Sequence, residues 1–294
     1  MKRILIAVLV LAMSLALASC GDPTTPSASP SDSAPAESAS PSDSASASVA
    51  WFVLPEALAT EEYAIGFRKE DEALTRLVNE TLVELKNDGT LAKISTDWFG
   101  KDITTIPAEK PVYEAPTAEA DDSASRTVLI LGLDASFPPM GYDDNGTIVG
   151  FDIDVAKALC AKLGWELKLQ AIDWNAKELE LNSGNIDCIW NGMTKTDERD
   201  ASMSLSVPYM NNEQIIVTRE DSGIKTLADL AGKKLIMQTG SSAVDALESK
   251  PDFKATLGST NTIDDNMTAF MDVEQGASDA ILIDSIVANW YISR

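Results

Sequence analysis

Over the first 50 positions, apolar residues gather in one block, Ile4 to Leu17, interrupted only by Ser14. Lys2 and Arg3 precede it and Ala18-Ser19-Cys20 follows, the order of an export signal. The block is short for a membrane span, which takes ~20 apolar residues. Residues 21–49 are mostly Ser, Pro, Ala and Asp without apolar periodicity, which predicts a solvated tether. From Ala50 the pattern changes. "WFVL" (51–54) and "EYAIGFR" (62–68) predict short strands. Leu74, Leu77, Val78, Leu82 and Leu85 recur at helical spacing until Asn87-Asp88-Gly89 stops them. "TLAKISTDWFG" (90–100) predicts one more short helix, and the proline- and acid-rich stretch 105–126 predicts a linker. A block as small as 50–104 rarely buries enough surface to fold alone, so it needs a partner.

From Thr127 onward, strand and helix patterns alternate. The strand "TVLILGL" (127–133) leads to the turn "DDNGTIVGFD", where Asp152 is a candidate cap for a helix with Ile153, Ala156, Leu159, Cys160 and Leu163 inward. The strand "WELKLQAI", the helix "NAKELELNSG" and the strand "IDCIW" follow. After the extended piece "SLSVPYMNNEQIIVTR" (204–219), a second series runs "KLIMQT", "SAVDALES", "IDDNMTAFMDVEQG", "DAILID" and "SIVANWYIS". This spacing predicts an α/β fold of parallel-rich sheets flanked by helices, in two lobes with a cleft between them.

Charge and composition narrow the chemistry. A formal net charge of −23 leaves nothing to neutralise a nucleic-acid backbone. The chain has no histidine, which removes Ser-His-Asp and Cys-His nucleophiles and most zinc sites. No cofactor and no metal are expected. Cys160 and Cys188 fall on a predicted helix and strand of the same lobe, and both a disulfide and two buried thiols remain open.

Four ordered stretches carry a resemblance. They are "LDASFPPMGYDDNGTIVGFDIDVAKALCAKLG" (133–164), "GNIDCIWNGMTKTDERDASMSLSVPYM" (184–210), "KLIMQTGSSAVDAL" (234–247) and "ASDAILIDSIVANWYI" (277–292). Together they resemble the bacterial extracellular solute-binding proteins of family 3, receptors for polar amino acids in ABC importers, with the two-lobed type II periplasmic-binding-protein fold. "LASC" is similar to a lipobox, which implies lipidation of Cys20 and an anchored, extracytoplasmic protein. An α-amino acid is a zwitterion, and Arg199 offers a planar fork for its carboxylate. On spacing alone Arg199 reads as a surface residue of a helix, beside Asp197, Glu198 and Asp200. The resemblance implies the binding role, with Asn191, Gly192 and Thr194 at a strand end beside it. It also implies Asp284 as the ammonium partner, although "DSIVANW" makes Asp284 a helix cap as well. Asp134 is a second polar contact, Phe137 and Trp174 are aromatic walls, and Gln238, Ser241 and Ser242 lie in a strand-to-helix turn. Tyr142 completes the candidate set.

The resemblance stops at Arg294, where family members continue with a strand, a second crossing between lobes and closing helices. "WFVL", "PEALATEEYAIGFRKED" and "ALTRLVNETLVELKNDGTLAKISTDWFGKDIT" resemble those pieces, moved to the front. A circular permutation is therefore expected. Residues 1–20 are signal and lipobox, 21–49 tether, 50–58 the last strand of lobe 2, 59–63 a hinge crossing and 64–104 the closing part of lobe 1. The permutation linker is 105–126, lobe 1 resumes over 127–208, 209–213 is the other crossing and 214–294 is lobe 2. The linker's reach of about 25 Å suits two ends on one lobe. A monomer is expected, with exchange of 50–104 between two chains as the competing arrangement. The expected function is capture of a free polar L-amino acid for an ABC permease and ATPase. A dehydratase on the same scaffold (cyclohexadienyl or arogenate type) and a sensing module without transport are the alternatives.

Overall fold

The structure, a computed structural model, describes residues 49–113 and 125–294. The signal run, the lipobox Cys20 and residues 21–48 lie outside the described residues. In chain order the front segment forms β1 (Trp51–Val53), β2 (Ala59–Tyr63), β3 (Gly66–Arg68), α1 (Glu72–Asn87) and α2 (Thr90–Phe99). Next come β4 (Val128–Leu133), β5 (Ser136–Phe137), β6 (Gly141–Asp144), β7 (Thr147–Val149), α3 (Phe151–Leu163) and β8 (Glu166–Ala171). Then follow α4 (Lys177–Asn182), β9 (Cys188–Ile189), α5 (Asp197–Ser202), β10 (Met203–Leu205) and β11 (Met210–Arg219). The remainder is β12 (Lys234–Gln238), α6 (Ser242–Glu248), α7 (Pro251–Lys254), β13 (Ser259–Ile263), α8 (Asn266–Glu274), β14 (Ala280–Asp284) and α9 (Ser285–Ile292). Among the described residues no helix is long and apolar enough to cross a membrane.

Each lobe is built on one sheet. The order is β10-β3-β9-β4-β8 in the first and β1-β11-β14-β12-β13 in the second, with β2 also on β11; β5, β6 and β7 form a small third sheet. The front segment is divided between both lobes. β1 runs antiparallel to β11, with Trp51 opposite Arg219. β3 lies between β9 and β10, antiparallel to both, with Phe67 opposite Cys188. β2 pairs with the start of β11, Tyr63 opposite Met210, so the two crossings lie side by side. The apolar face of α1 explains where this segment is covered. Leu74, Val78, Leu82 and Leu85 are buried in one cluster with Leu91 of α2, Leu129 and Leu131 of β4, and Phe151 and Leu159 of α3. Each such side chain contributes about 1.5–3 kcal/mol by leaving water. In the second lobe, Leu54 and Leu58 pack with Ile216, Leu235 and Leu282.

Several expectations change. "EYAIGFR" is two strands, because Ala64 donates to the Met193 carbonyl and the Ile65 amide donates to Ser206 Oγ as the chain leaves one sheet for the other. The sheets are mixed, since β3 enters the first against its neighbours. The polar run "STNTI" of β13 pairs parallel with β12, a strand that apolar patterning does not mark. Asp152 is not a cap. Gly150 occupies that place with φ 147°, where a Cβ would stand 2.1 Å from the Met140 carbonyl oxygen. The Asp152 side chain is fully buried instead. Residues 105–113 are mostly exposed but tied to the lobe 1 surface at a few points. Ile106 is in the core, Asn79 Nδ2 donates to Tyr113 Oη at 2.8 Å, and Lys110 pairs with Glu80 and Glu84 at 3.0 and 2.9 Å. Residues 114–124 lie outside the described residues. Cys160 and Cys188 are free buried thiols, not a disulfide. Burial pushes the Cys160 thiol up to about 11 and that of Cys188 well up, so neither is a thiolate at neutral pH.

Candidate functional site

Four strands end at the cleft. β4 runs into Asp134, β9 into the loop 190–196, β12 into the turn 239–241 before α6, and β14 ends on Asp284. Ligand sites in such sheets lie beyond the carboxyl ends of parallel strands. Phe137, Trp174, Gly192, Thr194, Arg199, Gln238, Ser241, Ser242 and Asp284 enclose one cavity. It is small, with room on the order of one water. It is narrow because the lobes meet across it. Gln238 Nε2 donates to Asp134 Oδ2 at 2.6 Å, Thr194 Oγ1 and Ser242 Oγ lie 3.0 Å apart, and the Lys177 ammonium donates to the Gly240 carbonyl at 3.0 Å.

Arg199 is 6 % exposed, which decides against a surface role. Thr196 caps α5 by accepting the Arg199 amide, and the guanidinium donates to the Thr194 carbonyl at 2.7 Å. Burial pushes its pKa down, opposed first by the charge of Asp245. Asp284 starts α9 but makes no side-chain cap bond. Its Oδ1 accepts from Tyr63 Oη at 2.7 Å and from Asn212 Nδ2 at 2.6 Å. Burial, then the nearby Glu61 carboxylate, raise its pKa to about 7. A buried cation on lobe 1 and a buried carboxylate on lobe 2 thus border the same small space.

Gly192 has φ 59°, and a Cβ there would stand 2.7 Å from Phe137 Cε1. Only glycine lets the loop approach the ring so closely. Its amide donates to Asp152 Oδ2 at 2.8 Å, and Tyr209 Oη donates to the same oxygen at 2.9 Å. Burial raises the Asp152 carboxyl to about 7.

Asp134, Asn191 and Tyr142 are absent from the cavity wall. Asp134 stands behind Gln238, holds Ser136 by its Oγ and amide, and is raised in pKa by burial. Asn191 Oδ1 accepts the Asp134 amide at 3.0 Å, a scaffold role. Tyr142 stacks edge-on with Trp290 of the opposite lobe, centroids 5.4 Å apart, so it closes one flank. Sequence reasoning missed Glu61, Tyr63, Asn212, Gln214 and Lys177. The first four lie on β2 and the start of β11, where the strand pattern hides which face looks inward. Lys177 reads as an exposed helix residue, yet it is buried near the Trp174 ring. Burial first, and Arg199 next, lower its pKa to about 8.

The family model for bacterial extracellular solute-binding proteins, family 3, matches residues 9–101 and 129–282. The chain belongs to that family. It is 33 % identical over 176 residues to the arginine-binding extracellular protein ArtP of Bacillus subtilis, covering 60 % of this chain and 68 % of that protein. It is 32 % identical over 166 residues to the L-cystine-binding protein TcyJ of Escherichia coli, covering 55 % and 61 %. Among solved structures, a histidine-bound substrate-binding protein of an ABC uptake transporter from Streptococcus pneumoniae superimposes with a TM-score of 0.56 at 39 % identity. That likeness covers 58 % of this chain and 71 % of the other. The chain therefore spans about two-thirds of the length of the relatives it matches.

Proposed function

We propose that this chain captures one free polar L-amino acid between its lobes and delivers it to the permease and ATPase of an ABC importer. The observation that carries this reading is the placement of Arg199 and Asp284. They stand on different lobes, are both buried, and face one cavity. The ligand carboxylate pairs with the Arg199 fork and with the loop at Thr194, which Gly192 shapes; the ligand ammonium pairs with Asp284. A ligand favours the closed state only by contacts it makes there, and a zwitterion bridging two lobes makes such contacts. Binding of arginine, cystine or histidine by relatives supports the ligand class. Calorimetry against the common L-amino acids tests it. Wild type should bind at least one, and Arg199→Ala should lose more than about 100-fold, the ~3 kcal/mol of a broken buried charge pair. Unchanged affinity in that variant refutes the site.

The lipid anchor at Cys20 belongs to the same reading, with residues 21–49 joining it to lobe 2. Metabolic labelling with a palmitate analogue tests it, and Cys20→Ala should abolish the label. The chain order belongs to it too. The division of the front strands between both sheets supports a circular permutation. A rotated chain, 127–294 followed by 50–104, should bind the same amino acid. Sedimentation of the natural chain at low micromolar concentration should give a monomer; a dimer favours exchange of 50–104.

A further inference from the structure

One acid near the cavity has no role in the reading above. Glu61 lies on β2, the crossing contributed by the front segment. Its Oε2 accepts three hydrogen bonds, from Thr194 Oγ1 at 2.9 Å, Asn212 Nδ2 at 3.0 Å and Gln214 Nε2 at 3.0 Å. The same Asn212 nitrogen also donates to Asp284 Oδ1 at 2.6 Å. One side-chain amide therefore spans two carboxylates. Thr194 and Gln214 reach on to Ser242 Oγ at 3.0 and 3.2 Å, where lobe 2 meets lobe 1. Glu61 is not part of the cavity wall. It borders a groove on the other side of the Thr194–Ser242 contact, which Asn212 and Asp245 also line. It can act on a ligand only through its neighbours.

We propose that Glu61 is the positioning residue of the ammonium end, aiming Asp284 through the shared Asn212 amide and placing a second negative charge behind it. This rests on Asp284 as the ammonium partner. Two carboxylates sharing one amide repel, and each is tolerated only while donors and a nearby cation offset the cost. The charged and titratable groups facing Asp284 are Glu61 and Tyr63 of β2 and Arg199 of α5. Asp245 of α6 stands beside Arg199, while Asn212 and Gln214 of β11 are uncharged. Glu61 is the acid among them that raises Asp284. Neutralising it must let Asp284 ionise at lower pH and must also weaken the field that attracts the ammonium. Removing Asn212 takes a donor from the Asp284 carboxylate and must move its ionisation upward.

The test is calorimetric affinity from pH 5.5 to 8.5 on the full mature chain, using the tightest binder among the common L-amino acids. Wild-type affinity should fall as pH drops below about 7, where Asp284 takes up a proton. Glu61→Gln should bind about three- to tenfold more weakly at pH 8, with its falling limb displaced downward by at least about half a pH unit. Glu61→Asp should restore the limb toward wild type, and Asn212→Ala should displace it upward. The Asn212→Ala profile carries the test if Glu61→Gln does not fold. Limbs that coincide with wild type in both variants overturn the proposal, even where affinity drops uniformly, since that is the signature of lost structure. Failure of wild type to bind any amino acid overturns the functional reading itself, and this proposal with it.

Discussion

Asp152 allows the most quantitative prediction. It lies under the binding loop, holds the Gly192 amide and the Tyr209 hydroxyl, and has an Oδ1 without a partner. Its carboxyl titrates at about 7 in the fold and near 4 in an unfolded chain. The raised value means that the folded state holds the proton longer. Stability is therefore greatest below pH 4, falls as pH rises, and has lost its full share once pH exceeds about 7. Between pH 6 and 8 the folded group releases most of one proton while the unfolded chain releases none. The loss is about 1.4 kcal/mol over that range, from ~1.36 kcal/mol per pKa unit. Asp152→Asn removes the titration. Its altered hydrogen bonds shift stability by an amount that does not change with pH, so the slope alone isolates the ionisation. Asp284 contributes equally to both proteins and cancels. Urea unfolding of ligand-free wild type and variant at several pH values is the assay. The gap between them should change by about 1.4 kcal/mol from pH 6 to 8, or ~3–5 °C in Tm. A gap constant across that range refutes the burial argument.

Gly192→Ala should weaken amino-acid binding at least tenfold and cost about 1–2 kcal/mol of stability, since φ 59° strains an L-residue and the new methyl meets Phe137; calorimetry and urea unfolding read the two effects. Lys177→Ala removes a bond from lobe 1 to the Gly240 carbonyl, so binding should weaken about three- to tenfold with a smaller change in urea midpoint. Ellman's reagent should label neither Cys160 nor Cys188 in the native protein, and both after unfolding without reductant. Labelling that appears only after reduction contradicts two free thiols.

The fold was legible where burial follows local pattern. The helical face of α1 and the apolar runs of β4, β12 and β14 are readable because one period decides each of them. The same holds for Arg199 and Asp284 once their motifs are aligned, although spacing alone places Arg199 on a surface. What local pattern cannot show is a partner far away in the chain. Tyr63 and Asp284 are 221 residues apart and share a hydrogen bond. Glu61 looks like one acid among many in "EEYAIGFRKED" until β2 lies beside β11. Asp152 reads as a helix cap because capping is a local rule, while its burial depends on Gly192 and Tyr209 arriving from elsewhere. The polar strand β13 has no apolar alternation to reveal it. Residues 105–113 look like linker because they open the proline- and acid-rich stretch 105–126, yet Ile106 and Tyr113 find places on lobe 1.

The central claim is that one zwitterion is held at both ends, by Arg199 and by Asp284. It is tested most directly with ligands blocked at one end. Calorimetry should compare the tightest-binding L-amino acid with its N-acetyl derivative and its methyl ester at pH 8. The account predicts measurable binding of the free amino acid and a loss of more than about 100-fold for each derivative, because each leaves a buried charge unpaired. Binding of either derivative within tenfold of the free amino acid contradicts it.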